Sequence, residues 1–440
     1  MSVGRGNSKA CVGVLALVLV VVGGAGGPGR AETPRSLSLE QAITEARAQH
    51  PALAKLGALV RAAEARVAGY DANLRPVVAA GATGTYTGEG SVGGTGPGVT
   101  NTFTLSLGVT ASWVITDFGR TPALQRAAKA AVEVTRAGVT VTLADLVFGV
   151  QTIYYEAAAR RELVKVERAA LERDARHVEE ATRFVAAGTR PPIDVLRAKT
   201  LLARTQTSLT RAEASEELAR AQLVYATGGD AAKLAVEVTS GWPAAIPGEE
   251  GPVEALVDEA LRARPELDAA RRAIAAAQAA ERAADSTLKP SLSASAQAGV
   301  GTRDFDQFGP AWTATLKFAW PLYDGGATAA AVDEARAEAE ASQRDLEQAV
   351  LDIRSEVVQA SLAIRQAKAT GLAARAAAEA AQAELKLAEA RYQQGLDSGI
   401  EWADVQAQLV QTQAEIITAD WSLAVGRAQL LHALGRVVGP

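Results

Sequence analysis

The sequence is almost without cysteine: Cys11 is the only one in 440 residues. A chain with one thiol cannot form an internal disulfide, and Cys11 precedes an apolar segment, a poor position for lipid attachment. Histidine is also scarce, and His50, His177 and His432 lie too far apart in sequence for a metal-ligand motif. A phosphate-binding loop is missing as well, since the glycines at 93–98 lie in a predicted turn. We therefore predict a protein that is not an enzyme, with no metal and no cofactor.

Beyond the N-terminus, the sequence also lacks the run of about 20 apolar residues that a membrane-spanning helix needs. Its one continuous apolar segment, 12–22, follows Arg5 and Lys9 and precedes small residues up to Ala31. This order predicts a secretory signal peptide over 1–31. A membrane anchor is the weaker alternative, because about 11 apolar residues cannot span a bilayer. A mature chain that crosses a membrane must then do so as a closed β-barrel.

Positive charge is in deficit as well. The formal net charge is −5, and removal of 1–31 would take away three basic residues and no acid, which leaves −8. Proteins that bind nucleic acids neutralise phosphates with lysine and arginine. We predict no nucleic-acid partner.

What the sequence does contain is two stretches of strict apolar–polar alternation, 101–116 and 311–323. The apolar positions are Phe103, Leu105, Leu107, Val109, Ala111, Trp113 and Ile115 in the first, and Trp312, Ala314, Leu316, Phe318, Trp320 and Leu322 in the second. Successive side chains of a strand point to opposite faces, so each stretch predicts a β-strand with one apolar and one polar face. Their length suits strands that cross a membrane at a tilt, which need about 9–11 residues.

Both strands belong to a unit that occurs twice. Residues 39–53 match 253–267, and Leu74-Arg75-Pro76 matches Leu288-Lys289-Pro290, both at an offset of 214. Proline ends a helix and favours extended backbone before it, so a hairpin should follow each match. The hairpins are predicted at about 77–116 and 291–323.

This repeat sets the predicted domain boundaries. Repeat 1 covers 32–226, an irregular linker covers 227–252, and repeat 2 covers 253–440. Each repeat consists of a helix, a hairpin, a long helix and a returning helix.

Coiled-coil periodicity marks both long helices. One seam of apolar residues, spaced by alternating steps of four and three, recurs 207 residues later: Val139, Leu143, Leu146, Val150, Ile153 and Ala157, then Leu346, Val350, Ile353, Val357, Ala360 and Ile364. A second seam in the first helix runs through Val134, Val141, Phe148 and Tyr155. Two seams predict a helix packed on both sides, as in a ring of helices, whereas an ordinary coiled-coil bundle is the alternative.

This order of elements, performed twice, resembles the TolC family of outer-membrane efflux proteins over about 37–435. The most specific parts are the LEQAITEARAQHPAL start at 39–53, with its second copy, and the turn RYQQGLDSGIEWADV at 391–405. The resemblance implies an α+β membrane protein. Three chains would each give four strands to one 12-stranded β-barrel, continued by a long periplasmic α-helical coiled-coil barrel.

The resemblance also implies a function. The chain would be the outer-membrane channel of a tripartite efflux or type I secretion system in a Gram-negative bacterium, passing solutes passively from the periplasm to the exterior. Its partners would be two further copies of itself, a periplasmic adaptor protein, an inner-membrane pump or ABC transporter, and outer-membrane lipid. The alternative is a periplasmic coiled-coil scaffold that never enters a membrane.

The family's turns at the periplasmic tip match Gly188-Thr189 and Gly395-Leu396, which the resemblance implies as adaptor contacts. The acids that line the family's closed entrance match Glu401 and Asp404, six and nine residues past the second glycine. Two solvated acids at a helix start, favoured by the helix dipole, are the alternative for this pair.

The corresponding positions of the first copy are Asp194 and Arg197, so a ring there would carry mixed charge. A girdle of aromatic residues at the membrane surfaces is predicted from Trp113, Phe118, Trp312, Trp320 and Tyr323, with core packing as the alternative. Lys317 would face the interior of the barrel or simply be solvated.

Overall fold

The computed structural model describes residues 35–90, 99–229, 236–239, 241–303, 307–396 and 399–436. The predicted signal peptide, 1–31, and most of the glycine-rich turn before Val99 lie outside these residues. The described elements are β1 (Arg35–Leu37), α1 (Leu39–Gln49), α2 (Pro51–Ala72), β2 (Val77–Gly90), β3 (Val99–Thr116), α3 (Arg120–Ala186), α4 (Ile193–Ala226), β4 (Val236–Val238), α5 (Val253–Ala263), α6 (Pro265–Asp285), β5 (Ser291–Arg303), β6 (Gln307–Ala319), α7 (Ala327–Gln393) and α8 (Gly399–Ala433).

The two hairpins join into one antiparallel sheet of four strands, in the order β2-β3-β5-β6. The central pairing, between β3 and β5, joins the two repeats and sets Trp113 opposite Ala294. A bulge between Val114 and Thr116 interrupts the alternation at the end of β3. β6 ends at Ala319, before the predicted end at Tyr323, because Pro321 has no N–H to donate to the ladder. β2 and β6 are the two edges of this sheet.

Each outgoing strand turns into a long helix through the same motif. The Asp117 carboxylate accepts hydrogen bonds from the backbone N–H of Thr121 at 2.6 Å and of Gly119 at 3.3 Å. In the second copy, Asp324 accepts from Gly326 and Thr328 at 3.1 and 2.8 Å. These bonds satisfy N–H groups at the helix start that have no partner within the helix.

The helices α3 and α7 contain 67 residues each, which corresponds to about 100 Å at 1.5 Å per residue. α4 returns along α3, α8 returns along α7, and α6 lies between α3 and α7. The seam predicted for the second copy is buried, with Ile353, Val357, Ala360 and Ile364 almost without solvent contact. The opposite side of α7 is not covered, since Leu351, Val358 and Leu362 are exposed.

Composition alone would allow one described helix, α3, to cross a membrane. The same composition is typical of a helix in a protein core, and α3 packs along α2, α4, α6 and α8. The signal for a membrane span is weak here.

Within the described part of the segment between the repeats, Val236–Val238 form a strand. β4 pairs in parallel with β1, so the start of repeat 1 and the linker form a two-stranded sheet. Further along, the 3% exposed side chain of Glu249 accepts hydrogen bonds from Arg427 at 2.9 Å and lies 2.7 Å from Lys368 Nζ. Burial alone would raise the pKa of Glu249, but hydrogen bonds from Arg427, Lys368 and the N–H of Ile246 outweigh it and lower the pKa to about 2. This ion pair holds the segment against α7 and α8.

Candidate functional site

The two helical hairpins end in turns of identical geometry. Gly188 and Gly395 have φ angles of 72° and 81°, a left-handed conformation that glycine adopts without strain. In each turn the residue after the glycine donates its N–H to a carbonyl five residues earlier, from Thr189 to Phe184 and from Leu396 to Arg391. Both turns are therefore Schellman motifs. Their four predicted contact residues are solvent-exposed, and we call this end of the molecule the tip.

The first turn is fastened to the second hairpin by one side chain. Arg190 donates a hydrogen bond of 2.8 Å to the backbone carbonyl of Tyr392, and its guanidinium lies 4.6 Å from the centre of the Tyr392 ring. Such a cation–π contact contributes about 0.5–2 kcal/mol, more when water is excluded. Phe184 packs edge-on against the same ring. No pattern in the sequence predicts this contact, because its partners lie in different repeats.

Two turns before Phe184 on α3, His177 packs between aromatic rings of the other hairpin. Its ring stacks on Trp402 with centroids 3.9 Å apart, and the Tyr392 ring lies 4.9 Å away. Burial lowers the pKa of His177 to about 4, although the nearby carboxylate of Asp194 acts in the opposite direction. His177 is therefore a neutral ring at ordinary pH and contributes packing rather than charge.

A buried polar layer follows on the same helices. Asp174 accepts a 2.6 Å hydrogen bond from the Thr205 hydroxyl, and Arg173 donates one of 3.1 Å to the Gln406 amide. Burial raises the pKa of Asp174, whereas Thr205 and Arg173 act to lower it. One oxygen of Asp174 and the Gln406 amide nitrogen are buried with no protein partner among the described residues. Buried groups of this kind usually hold ordered water.

The predicted entrance acids, Glu401 and Asp404, are both exposed on the first turns of α8. Since they are three residues apart on one helix, they share a face. The expected counterpart in the first copy differs: Asp194 is 6% exposed and lies beneath the tip, while Arg197 is exposed. The buried residues Asp194 and Ala198 correspond to Trp402 and Gln406, an offset of 208 rather than 207, so the first buried side chain lies six residues after Gly188 in α4 and seven residues after Gly395 in α8.

The aromatic residues predicted for a girdle do not all lie at one level of the sheet. Trp113, Phe118, Trp320 and Tyr323 are near the helical end, where Phe118 packs edge-on against Phe318. Trp113 is paired with Ala294, and Ala294 with Leu316, so these three residues form one row across the sheet, the Trp113 row. Trp312 is 80% exposed and lies four residues nearer the hairpin loop than Leu316. That is about 13 Å along the strand at 3.3 Å per residue.

A second aromatic level was missed in the sequence. Exposed Tyr86 and Phe308 lie at the loop end of the sheet, on the same face as Trp113. Phe308 belongs to the row of Leu105, eight residues from Trp113 and thus about 26 Å away along the strand. The weaker alternation of β2 hid the signal from Tyr86. The opposite face carries mainly small or polar side chains, with Lys317 among them.

One constellation has the composition of a metal site. Donor atoms of Asp145, Glu266 and His432, which come from three helices, lie within 4.8 Å of one another. Arg264 Nη1 lies 3.1 Å from His432 Nδ1, and since arginine can only donate, Nδ1 must accept. The His432 ring then carries its proton on Nε2, which lies 3.0 Å from Asp145. A metal would have to bind His432 at this same nitrogen. Arg264 also forms ion pairs with Glu266 and Glu356, so the protein itself supplies a positive charge to this cluster.

Comparison with known proteins agrees with this architecture. The family model described as "Outer membrane efflux protein" matches residues 42–229 and 256–436. Protein CyaE of Bordetella pertussis is 29% identical over 337 residues, which are 76% of this chain and 70% of CyaE.

Solved structures share the fold. The outer membrane protein VceC of Vibrio cholerae aligns with a TM-score of 0.73 and 20% identity over 90% of this chain and 96% of its own. The CmeC outer membrane channel of Campylobacter jejuni aligns with a TM-score of 0.75 and 15% identity over 90% and 85% of the two chains. At such identities the likeness concerns the fold alone.

Proposed function

The chain belongs to the outer membrane efflux protein family, and from this premise we propose that it is a passive export conduit of a tripartite efflux or type I secretion system. Its place is the outer membrane of a Gram-negative bacterium, with the helices extending into the periplasm, and it is not an enzyme. Outer-membrane localisation excludes the periplasmic scaffold as an alternative. Energy for transport must then come from a partner.

The single observation that carries the proposal is the open four-stranded sheet with an apolar outer face. Its edge strands, β2 and β6, each pair on one side only, and their outer sides have no strand partner among the described residues. Unpaired backbone N–H and C=O groups cost several kcal/mol each in lipid, so only a closed barrel can cross the membrane. Three chains with four strands each would close one 12-stranded barrel without a free edge. Its exposed face, which includes Leu107, Val109 and Leu316, would contact acyl chains.

The helices support the same assembly. Leu351, Val358 and Leu362 are exposed at spacings of seven and four along α7, which is the spacing of a coiled-coil seam. A neighbouring chain would cover this seam in a ring of helices. Because α3 and α7 run for about 100 Å, such a ring would be a tunnel across much of the periplasm.

The aromatic levels fit a membrane of ordinary outer-membrane thickness. The Trp113 and Phe308 rows are about 26 Å apart along the strand, or roughly 20 Å after a tilt of about 40°, close to the band of about 25 Å expected for such barrels. We place both levels at the membrane surfaces, with Trp312 between them. Phe118, Trp320 and Tyr323 extend the periplasmic girdle.

The tip is the proposed point of contact with a periplasmic adaptor, which would recruit an inner-membrane pump or ABC transporter. The residues of the two turns, Gly188, Thr189, Gly395 and Leu396, are exposed and form the end of the molecule. Leu396 in particular is a large apolar side chain in water, 68% exposed.

Glu401 and Asp404 are the proposed entrance. Three chains would bring six carboxylates around one axis, and such a ring attracts cations. Replacement of both by alanine should raise conductance in planar bilayers and weaken block by divalent cations. Unchanged single-channel traces would remove this pair from the entrance, and Glu384→Ala on α7 provides a control for loss of an acid elsewhere.

Assembly can be tested by disulfide crosslinking, because the mature chain is predicted to contain no cysteine. One cysteine in β2, at Thr83, would be combined in turn with one at Lys317, Thr315 or Thr313 in β6. At least one pair should give covalent dimers and trimers in non-reducing gels. A control pair within one chain, Thr83 with Ser106, which are register partners, should give no covalent oligomer. Absence of oligomers for every edge pair, together with a protein that stays monomeric in detergent, would refute the shared barrel.

A further inference from the structure

A groove beside the tip lies between the first turns of α4 and α8. Its volume is about 380 Å³, within the range of small-molecule sites. Its lining includes Ile193, Leu196, Arg197, Arg204 and Ile400. All of these residues come from a single chain, so the groove is complete before any assembly.

One side of the groove is apolar. Three large apolar side chains are exposed here: Ile193 by 47%, Leu196 by 61% and Ile400 by 47%. Much of α4 carries small or polar residues instead. Large apolar side chains grouped in water indicate a binding surface. The apolar body of a ligand would remove this surface from water.

The other side carries positive charge without a partner. Arg197 and Arg204 are seven residues apart on α4, about 10 Å along one helix face. Neither forms an ion pair with any residue that the structure describes. Asp404 is the one acid among the described residues that line the groove, and these residues together carry a net charge of about +1. This charge pattern favours one negative charge and disfavours a polyanion, which Asp404 would repel.

A buried polar group faces the same space. His177 lines the groove, is 5% exposed, and has no hydrogen-bond partner among the described residues. Its Nε2 would lie 3.9 Å from a Cβ added at Gly399, so this nitrogen faces the start of α8. A neutral imidazole in this position can donate a hydrogen bond to an oxygen acceptor.

We propose that the groove between α4 and α8 binds a small amphiphilic monoanion, a carboxylate or sulfonate on a compact apolar body. The head group would pair with Arg197 or Arg204 and accept a hydrogen bond from His177. The apolar body would cover Leu196 and Ile400. This site goes beyond the conduit function and does not depend on it.

The test uses 1-naphthoate as the probe and the full mature chain purified in detergent. Equilibrium dialysis should give saturable binding of one naphthoate per chain. The matched cation 1-naphthylmethylammonium has the same apolar body, so its uptake measures partition into micelles and should not saturate. Equal binding of the anion and the cation, or no saturable naphthoate binding, would overturn the proposal.

Variants locate the site. The double replacement Arg197→Gln with Arg204→Gln should weaken naphthoate binding at least tenfold, whereas Arg211→Gln, an exposed arginine two turns further along α4, should change it less than twofold. Leu196→Asn, at an exposed position where no core packing is lost, should also weaken binding at least threefold. If the double variant and Leu196→Asn both bind as the wild type does, naphthoate binds elsewhere and the groove is not its site.

Discussion

Burial of His177 beneath the tip predicts that acid loosens the contact between the two helical hairpins. The folded pKa of this ring is about 4, below its ordinary value of 6.5. Between these values the opened state binds a proton and the closed state does not, so closure becomes less favourable as the pH falls from 6.5 towards 4. Above 6.5 the ring is neutral in both states and the effect vanishes.

The magnitude follows from the shift. One pKa unit corresponds to about 1.4 kcal/mol, so the full penalty near pH 4 is about 3 kcal/mol, and at pH 5 it is about 2 kcal/mol. The charged and titratable groups that face the ring come from the other packed elements: Asp194 on α4 and Tyr392 on α7. Asp194 partly stabilises a protonated ring, and its influence is already contained in the folded pKa.

Hydrogen exchange of the first turns of α8, residues 399–409, measures this opening in the intact protein. After correction for intrinsic exchange rates, protection should fall about 30-fold more in the wild type than in His177→Phe between pH 7 and pH 5. Phenylalanine preserves an aromatic ring against Trp402 but cannot be protonated. His50→Asn, at a cap far from the tip, serves as a control for loss of a histidine. Equal pH dependence in the wild type and His177→Phe would refute the reasoning.

Three further substitutions test the sheet, the junction and the linker. Gly299→Val should abolish the heat-modifiable oligomer on gels, because a Cβ at Gly299 would overlap the carbonyl of Leu107 across the strands, whereas Gly309→Val meets no atom and should assemble normally. Asp117→Ala should lower the unfolding free energy by about 1–2 kcal/mol through loss of a helix cap, as measured by denaturant titration. Glu249→Gln should cost about 3 kcal/mol and remove the loss of stability between pH 4.5 and 2, whereas exposed Glu250→Gln should leave both unchanged.

Periodic patterns in the sequence predicted most of the fold. Alternation located the strands, steps of four and three located the seams, and the recurrence of 39–53 revealed two copies. The contacts that the sequence did not reveal join distant segments through few residues. β1 and β4 are strands of three residues each, too short for any alternation to be seen, and their pairing depends on α3, where the Tyr154 hydroxyl donates to Thr239 O at 2.7 Å.

The candidate site could be predicted only in part, because several of its contacts also join distant segments of the chain. Gly188 and Gly395 could be identified because a helix that ends in a Schellman motif needs glycine at one position. Asp194 could not be identified as buried, because its environment is made by His177 and Tyr392 from other helices. The offset of 207 pairs Asp194 with Glu401, whereas burial pairs Asp194 with Trp402, one residue further along α8.

That shift explains why the two hairpins are not interchangeable. The position of buried Asp194 on α4 is taken on α8 by Trp402, whose ring stacks on His177 of the other hairpin. Glu401 and Asp404 are exposed on the first turns of α8, whereas Arg197 and Arg204 are exposed on α4. The exposed charge on these turns is thus acidic on α8 and basic on α4. A ring of alternating copies would then present alternating charge at its tip, and the acids of α8 can form a closed entrance only if α8 lies nearer the axis than α4.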